Sequence, residues 1–253
     1  MADVTEQQQQ EIVKLRELHL TPKQIARKIG LKVSDVNTAI QLRAEETVLI
    51  RKATGELDPV YQCLVTPNLI RLLPDNSEFQ QLKNSVGNVE NVIDEDGDGF
   101  INGLGYVTVA REGKYNELTI CTFLLDYWCL GVKDAMTPRK VNRAKYKDSI
   151  NKLFDAFPEP PQEVPISIAQ GMVYSALEYA DKLGFQPHRD FAESRSHLGD
   201  WNEKIRIICG RQGKPCYVDG PYDDPMKILA TLRSSVGDGN FDYLVQVKPD
   251  GYF

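Results

Sequence analysis

Residues 20–43 read LTPKQIARKIGLKVSDVNTAIQLR. Two short helical patterns flank a glycine in this stretch. Thr21 is an N-cap residue, and Pro22 stands at the first helical position, where its missing N–H costs nothing. The first pattern, PKQIARKI, stops at Gly30, the residue that most cheaply takes a left-handed C-terminal conformation. After Leu31-Lys32-Val33, Ser34 is placed to cap a second helix, DVNTAIQLRAEETVLIRKA, ending near Gly55. Two helices crossing over a tight turn need a small side chain where they touch, and Ala26 supplies it. The turn needs an unhindered backbone, and Gly30 supplies that. Ile25, Ile29 and Leu31 fill one side of the contact; Val36, Ala39 and Ile40 fill the other. Upstream, Thr5 and Gln8 form a capping-box pattern, and Ile12, Leu15 and Leu18 recur at helical spacing over residues 5–20. Residues 1–55 therefore predict a three-helix head.

The stretch resembles the helix-turn-helix of the LuxR-type regulators and of sigma-factor region 4, whose pattern runs LT-x-x-x-IA-x-x-LG-x-S-x-x-x-V-x. The resemblance covers about 25 of 253 residues. It implies that the exposed side of the last helix faces a major groove, with Ser34, Asn37, Thr38 and Gln41 toward bases and Lys23, Lys32 and Arg43 near phosphates. Asp35 departs from an anion-seeking surface, since an acid near that helix start repels phosphate, although it can accept from cytosine N4. Double-stranded DNA is the partner this implies. A protein- or RNA-docking use of the same fold is the alternative, and a plain helical cap is the third.

Charge is unevenly distributed. The whole chain carries −6, which argues against a nucleic-acid coat, yet residues 1–52 carry a net +2 and the remainder −8. Six basic residues lie between Lys14 and Lys32, against one acid, Glu17. The longest apolar run is interrupted by Asp126 in TICTFLLDYWCLGV and falls short of the ~18–20 residues of a membrane helix. The N-terminal MADVTEQQQQ is polar and carries no targeting signature. Five cysteines without a C-x-x-C pair point to reduced thiols and a cytoplasmic protein.

Beyond the head, residues 56–92 mix prolines with short apolar pieces and define no single element. From Gly103 the period becomes strand-like. GLGYVTVAR, a turn at Glu112-Gly113-Lys114 and ELTICTFLLDYWCLGV predict a hairpin. Residues 138–155 read as an amphipathic helix, and the proline-rich FPEPPQEVP as a boundary. Ser167–Leu183 reads as a further amphipathic helix closed by Gly184. KIRIICG, a turn at Arg211–Lys214 and PCYVDG predict a second hairpin, with Cys209 and Cys216 facing each other across it. A helix over DDPMKILATLRSSV and a last strand, FDYLVQV, follow. The fold class is α+β: a three-helix helix-turn-helix head joined to a body with antiparallel hairpins. The expected divisions are 1–55, the head; 56–160, a mixed region with a hairpin; and 161–253, an α+β C-terminal unit. CTFLLDYWCLGVKDAM, YADKLGFQPHRDF, KPCYVDGPYDD and VGDGNFDYL resemble a family of uncharacterised bacterial proteins over residues 103–253. That resemblance implies no activity, substrate or cofactor.

Two polar clusters suggest metal chemistry. DEDGDGFIN opens like an EF-hand calcium loop, with Asp94, Asp96, Asp98, the Phe100 carbonyl and Asn102 as Ca2+ ligands, though Gly105 replaces the bidentate Glu of the twelfth position. An acidic hairpin turn explains the same residues. In the C-terminal half, His188 and Asp190 follow one helix, while Asp223 and Asp224 precede another. Their convergence would allow a Mg2+- or Mn2+-dependent nuclease or phosphoesterase directed by the head. The bland reading makes Asp223 a helix N-cap and His188 a structural histidine. A buried carboxylate at Asp126 costs several kcal/mol unless paired, so it lies on an open face or has a role. The body would otherwise sense, dock a partner or hold a homodimer.

Overall fold

The computed structural model describes residues 4–17, 20–40, 42–43, 56–86, 103–114 and 116–245. The chain divides into two units, Met1–Asp58 and Pro59–Phe253. The architecture is α+β, and among the described residues no helix is long and apolar enough to cross a membrane.

The first unit holds α1 (Glu6–Glu17), α2 (Pro22–Ile29) and α3, helical at 33–40 and 42–43. Each of the first two starts on a reciprocal cap. The Thr5 N–H donates to Gln8 Oε1 (2.9 Å), and the Thr21 N–H donates to Gln24 Oε1 (2.8 Å) while the Gln24 N–H donates back to Thr21 Oγ1. Gly30 ends α2 at φ 72°, in the left-handed region. Ile12, Leu15, Ile25, Ala26, Val36 and Ala39 form the core, with Leu20, Ile29, Leu31 and Ile40 packed around it. One expectation fails here. Helix α3 begins at residue 33, a position before Ser34, and the Asp35 and Val36 N–H groups donate to the Lys32 carbonyl. Ser34 is inside the first turn and is no cap. The expected end near Gly55 lies outside the described residues.

In the second unit a five-stranded antiparallel sheet runs β4-β3-β2-β1-β5, from β1 (Val60–Val65), β2 (Leu104–Glu112), β3 (Glu117–Asp126), β4 (Gly131–Asn142) and the two-residue β5 (Gln162–Glu163). Register explains the composition. Cys63, Val109 and Cys121 share one row and Val65, Val107 and Phe123 the next on the same face, which packs with Ile168, Met172 and Val173 of α7 (Ile166–Lys182) and Phe191 and Leu198 of α8 (Phe191–Leu198). On the other face Leu64, Ala110, Leu118 and Ile120 meet Tyr146, Ile150 and Phe154 of α6 (Arg143–Phe154). Both faces are covered, so β2 and β3 read as nearly continuous apolar runs rather than alternating ones. Each fully buried Leu, Ile or Phe contributes about 1.5–3 kcal/mol.

The first hairpin is present as expected, but its second arm stops early. Asp126 pairs with Gly131, and Tyr127–Leu130 turn the chain back into β4. Asp126 organises that turn: its Oδ1 accepts from the N–H groups of Trp128 (3.1 Å) and Cys129 (3.0 Å). Burial drives the Asp126 carboxyl up to about 6, against the opposing pull of Lys133 and of the Cys129, Trp128 and Leu130 amides. Gly131 closes the turn at φ 72°, where a Cβ would stand 2.5 Å from Ala180 Cβ of α7.

Four further expectations are corrected. Residues 138–142 belong to β4, and α6 starts at Arg143 with Asn142 as N-cap (Ala144 N–H to Asn142 Oδ1, 2.9 Å). Pro138 is tolerated because β4 is an edge strand with a bulge there. The boundary expected at 160 is absent: β5 pairs with β1, and Val164 and Ile168 join the same core as Cys63. The second hairpin does not form. Residues 204–209 are not a strand, because their amides bond scattered partners, Ile207 to Ser175 Oγ and Ile208 to the Leu72 carbonyl. Only the Arg211–Lys214 turn is kept, so Cys209 and Cys216 do not face each other across a hairpin, and all five thiols are free. β6 (Cys216–Val218) instead pairs in parallel with β7 (Asp242–Leu244), flanking α9 (Pro225–Val236). The region left undefined by its prolines supplies β1, α4 (Pro67–Arg71) and α5 (Gln80–Val86).

Candidate nucleic-acid interface

The inward face of α3 is fixed by Val36 and Ala39, buried against Ile25 and Ala26 of α2. That contact leaves Ser34, Asn37 and Thr38 on the exposed side, with Arg43 also exposed. Lys23 and Lys32, the other expected phosphate contacts, are exposed as well. Gln41 lies outside the described residues. The observed start of α3 adds Val33, 41% exposed, which reading Ser34 as a cap left out of the helix. An apolar side chain there suits a thymine methyl. Arg27 and Lys28, exposed on α2, complete a face of Lys23, Arg27, Lys28 and Lys32 on which Asp35 is the one acid between residues 20 and 43.

Hydrogen bonds decide what the polar groups can offer. Thr38 Oγ1 donates to the Ser34 carbonyl (3.0 Å) and Ser34 Oγ donates to Asp35 Oδ1 (3.2 Å). Both hydroxyls keep acceptor capacity. Asn37 has no such internal bond and retains two donors and an acceptor, the set that reads adenine in the major groove. Ser34 also draws the Asp35 carboxylate along the helix, and Asp35 is half-buried.

The body residues proposed for metal chemistry have separate partners. His188 Nδ1 stands 3.6 Å from Asp134 Oδ1 and 3.9 Å from Asp190 Oδ2. Asp223 Oδ2 pairs with Lys133 Nζ at 2.7 Å and accepts from the Gly220 N–H (3.0 Å) and the Tyr217 hydroxyl (3.4 Å). Burial, with the Asp223 and Asp219 carboxylates, pushes the Tyr217 phenol upward, as suits a donor between two acids. Asp224, not Asp223, caps α9, accepting from the Lys227 N–H (3.2 Å). Among the described residues no group of three or more His, Cys, Asp or Glu side chains is placed to hold a metal ion. Lys133 was missed because it bulges out of the register between β3 and β4, reaching an acid 90 positions away. The calcium-loop residues Asp94, Asp96, Asp98, Phe100 and Asn102 lie outside the described residues.

Comparison with protein-family models, with curated proteins and with solved structures returned no match.

Proposed function

We propose that residues 1–58 form a duplex-DNA-binding unit in which α3 enters the major groove and α2 lies along the phosphates. One observation carries the reading. The α2–Gly30–α3 crossing buries an apolar seam of Ile25, Ala26, Val36 and Ala39 and thereby turns the basic and polar side chains of α2 and α3 outward. Lys23, Lys32 and Arg43 serve as phosphate contacts, while Asn37, Thr38 and Ser34 meet base edges and Val33 meets a thymine methyl. The second unit serves as the platform that senses, docks or dimerises, since two heads one helical turn apart would read two half-sites. Five unpaired cysteines suit a reducing, cytoplasmic setting.

Fluorescence anisotropy of the full chain on labelled duplex DNA tests the reading. Lys32→Ala should weaken binding to all sequences alike and reduce the slope of log K against log salt by about one. Asn37→Ala should cost about 1–3 kcal/mol on the preferred sequence only. The exposed Val33 and Leu42 (57%) favour one second reading, a protein partner docked on α3. Protection of residues 33–43 from hydrogen exchange by a protein partner, without DNA binding at about 50 mM salt, would establish it instead.

A further inference from the structure

The second unit carries a net charge of −6, with 27 acids against 21 basic residues, yet five of those 21 fall within nine positions. They are Arg139 and Lys140 at the end of β4 and Arg143, Lys145 and Lys147 in the first turns of α6, and no acid occurs from Ala135 to Lys147. Lys140 faces Glu117 (3.4 Å) and Arg143 pairs with Glu112. Arg139, Lys145 and Lys147 are exposed and make no ion pair with any described residue.

Edge protection is the ordinary reason for charge on an outer strand. It accounts for Arg139 and Lys140 on β4. It does not account for Lys145 and Lys147, which stand on a helix, or for the single sign. A protein partner would need an apolar anchor at the centre of its interface. Among the described residues, the aromatic ring exposed beside the cluster, Tyr61, is covered by the Arg143 guanidinium 4.6 Å from its centroid and braced edge-on by Tyr146. What remains is a set of unpaired cations around one amide, Asn142, whose side-chain oxygen is already held by the Ala144 N–H, and that is the chemistry of phosphate contact more than of base reading.

We infer that residues 139–147 form a second contact surface for the backbone of the same duplex DNA bound by the head. Arg139, Lys145 and Lys147 each neutralise a phosphate there. This rests on reading the head as a DNA-binding unit. It answers the difficulty that a −6 body poses for a DNA-bound head, because the body would present this basic stretch, with Lys145 and Lys147 on the two flanks of the buried Tyr146, to the duplex. It also makes the body a source of affinity but not of sequence preference.

The test is the salt dependence of full-chain binding to one duplex between about 50 and 200 mM salt. Three head contacts and three body contacts at about 0.9 each give a slope near −5.4, so wild-type affinity falls about 2,000-fold over that range. Arg139→Gln/Lys145→Gln/Lys147→Gln should halve the slope to about −2.7, a fall of about 40-fold, and leave the ratio of preferred to random sequence unchanged. Lys147→Gln alone should lower the slope by about one, which guards against a triple variant that folds poorly. A triple variant with the wild-type slope and native melting overturns the inference and leaves the head reading intact. Should the triple variant lower the slope while Lys23→Gln/Lys32→Gln does not, the body surface stands and the head reading fails. Absence of binding by the wild-type chain at about 50 mM overturns both.

Discussion

Replacing Asp126 by Asn should make the protein more stable at neutral pH, although Asp126 organises the β3–β4 turn. The carboxyl titrates near 3.8 in an unfolded chain and near 6 in the fold, because burial disfavours its charged form. Below about pH 4 both states hold the proton. As pH rises from there to about 6, the unfolded chain has released its proton and the folded one has not, so stability falls. Above 6 both are ionised and the loss is complete. The displacement corresponds to about 3 kcal/mol, an upper figure. An Asn side chain does not titrate, yet its carbonyl still accepts from the Trp128 and Cys129 amides. At pH 7 the variant gains that energy, a figure in which the attraction of Lys133 and the amides for the carboxylate is already set against burial. Wild type and Asp126→Asn should therefore match near pH 4 and diverge up to pH 6, with the variant melting as much as about 6–12 °C higher at pH 7. Calorimetry of both proteins at a series of pH values measures the difference, in which the other titrating groups cancel. Parallel curves, or a variant less stable at pH 7, would refute the reasoning and show that the amides and Lys133 outweigh burial.

Other perturbations address separate links. Gly131→Ala combines a left-handed residue, about 1–2 kcal/mol for an L side chain, with a Cβ 2.5 Å from Ala180 Cβ, so melting should drop by several degrees. Lys133→Met leaves Asp223, 10% exposed at its side chain, without its cation, and should cost about 3–5 kcal/mol in urea unfolding. Thr21→Ala removes the α2 cap and should weaken the head by about 1 kcal/mol, seen as faster amide exchange in residues 22–29 with the second unit unaffected.

What the sequence made legible was local. Thr21, Pro22 and Gly30 act within four residues of their partners, and the same residues cap, start and end α2 in the fold. The β-branched and aromatic content of residues 104–112 announced β2 equally well. Long-range choices were not legible. KIRIICG has strand composition, but its amides are taken by Ser175 and Leu72, which no local pattern indicates. Tyr127–Leu130 are as apolar as the strands beside them, so the turn was hidden, and only the misplaced charge of Asp126 marked it. In the candidate site, the exposed face of α3 followed from helical geometry. The position of its first turn did not, because Ser34 imitates a cap and Val33 was discounted. The basic cluster at 139–147 was split in the sequence between an unrecognised strand and a helix assigned five residues too early.

Selection of bound sequences from a pool of random duplex DNA by the full-length chain most directly tests whether α3 reads bases. The expected result is convergence on a short motif, with Asn37→Ala relaxing one position within it and Lys32→Ala leaving the motif unchanged at lower affinity. A pool that stays random after repeated rounds, or a motif that Asn37→Ala leaves untouched, would contradict it.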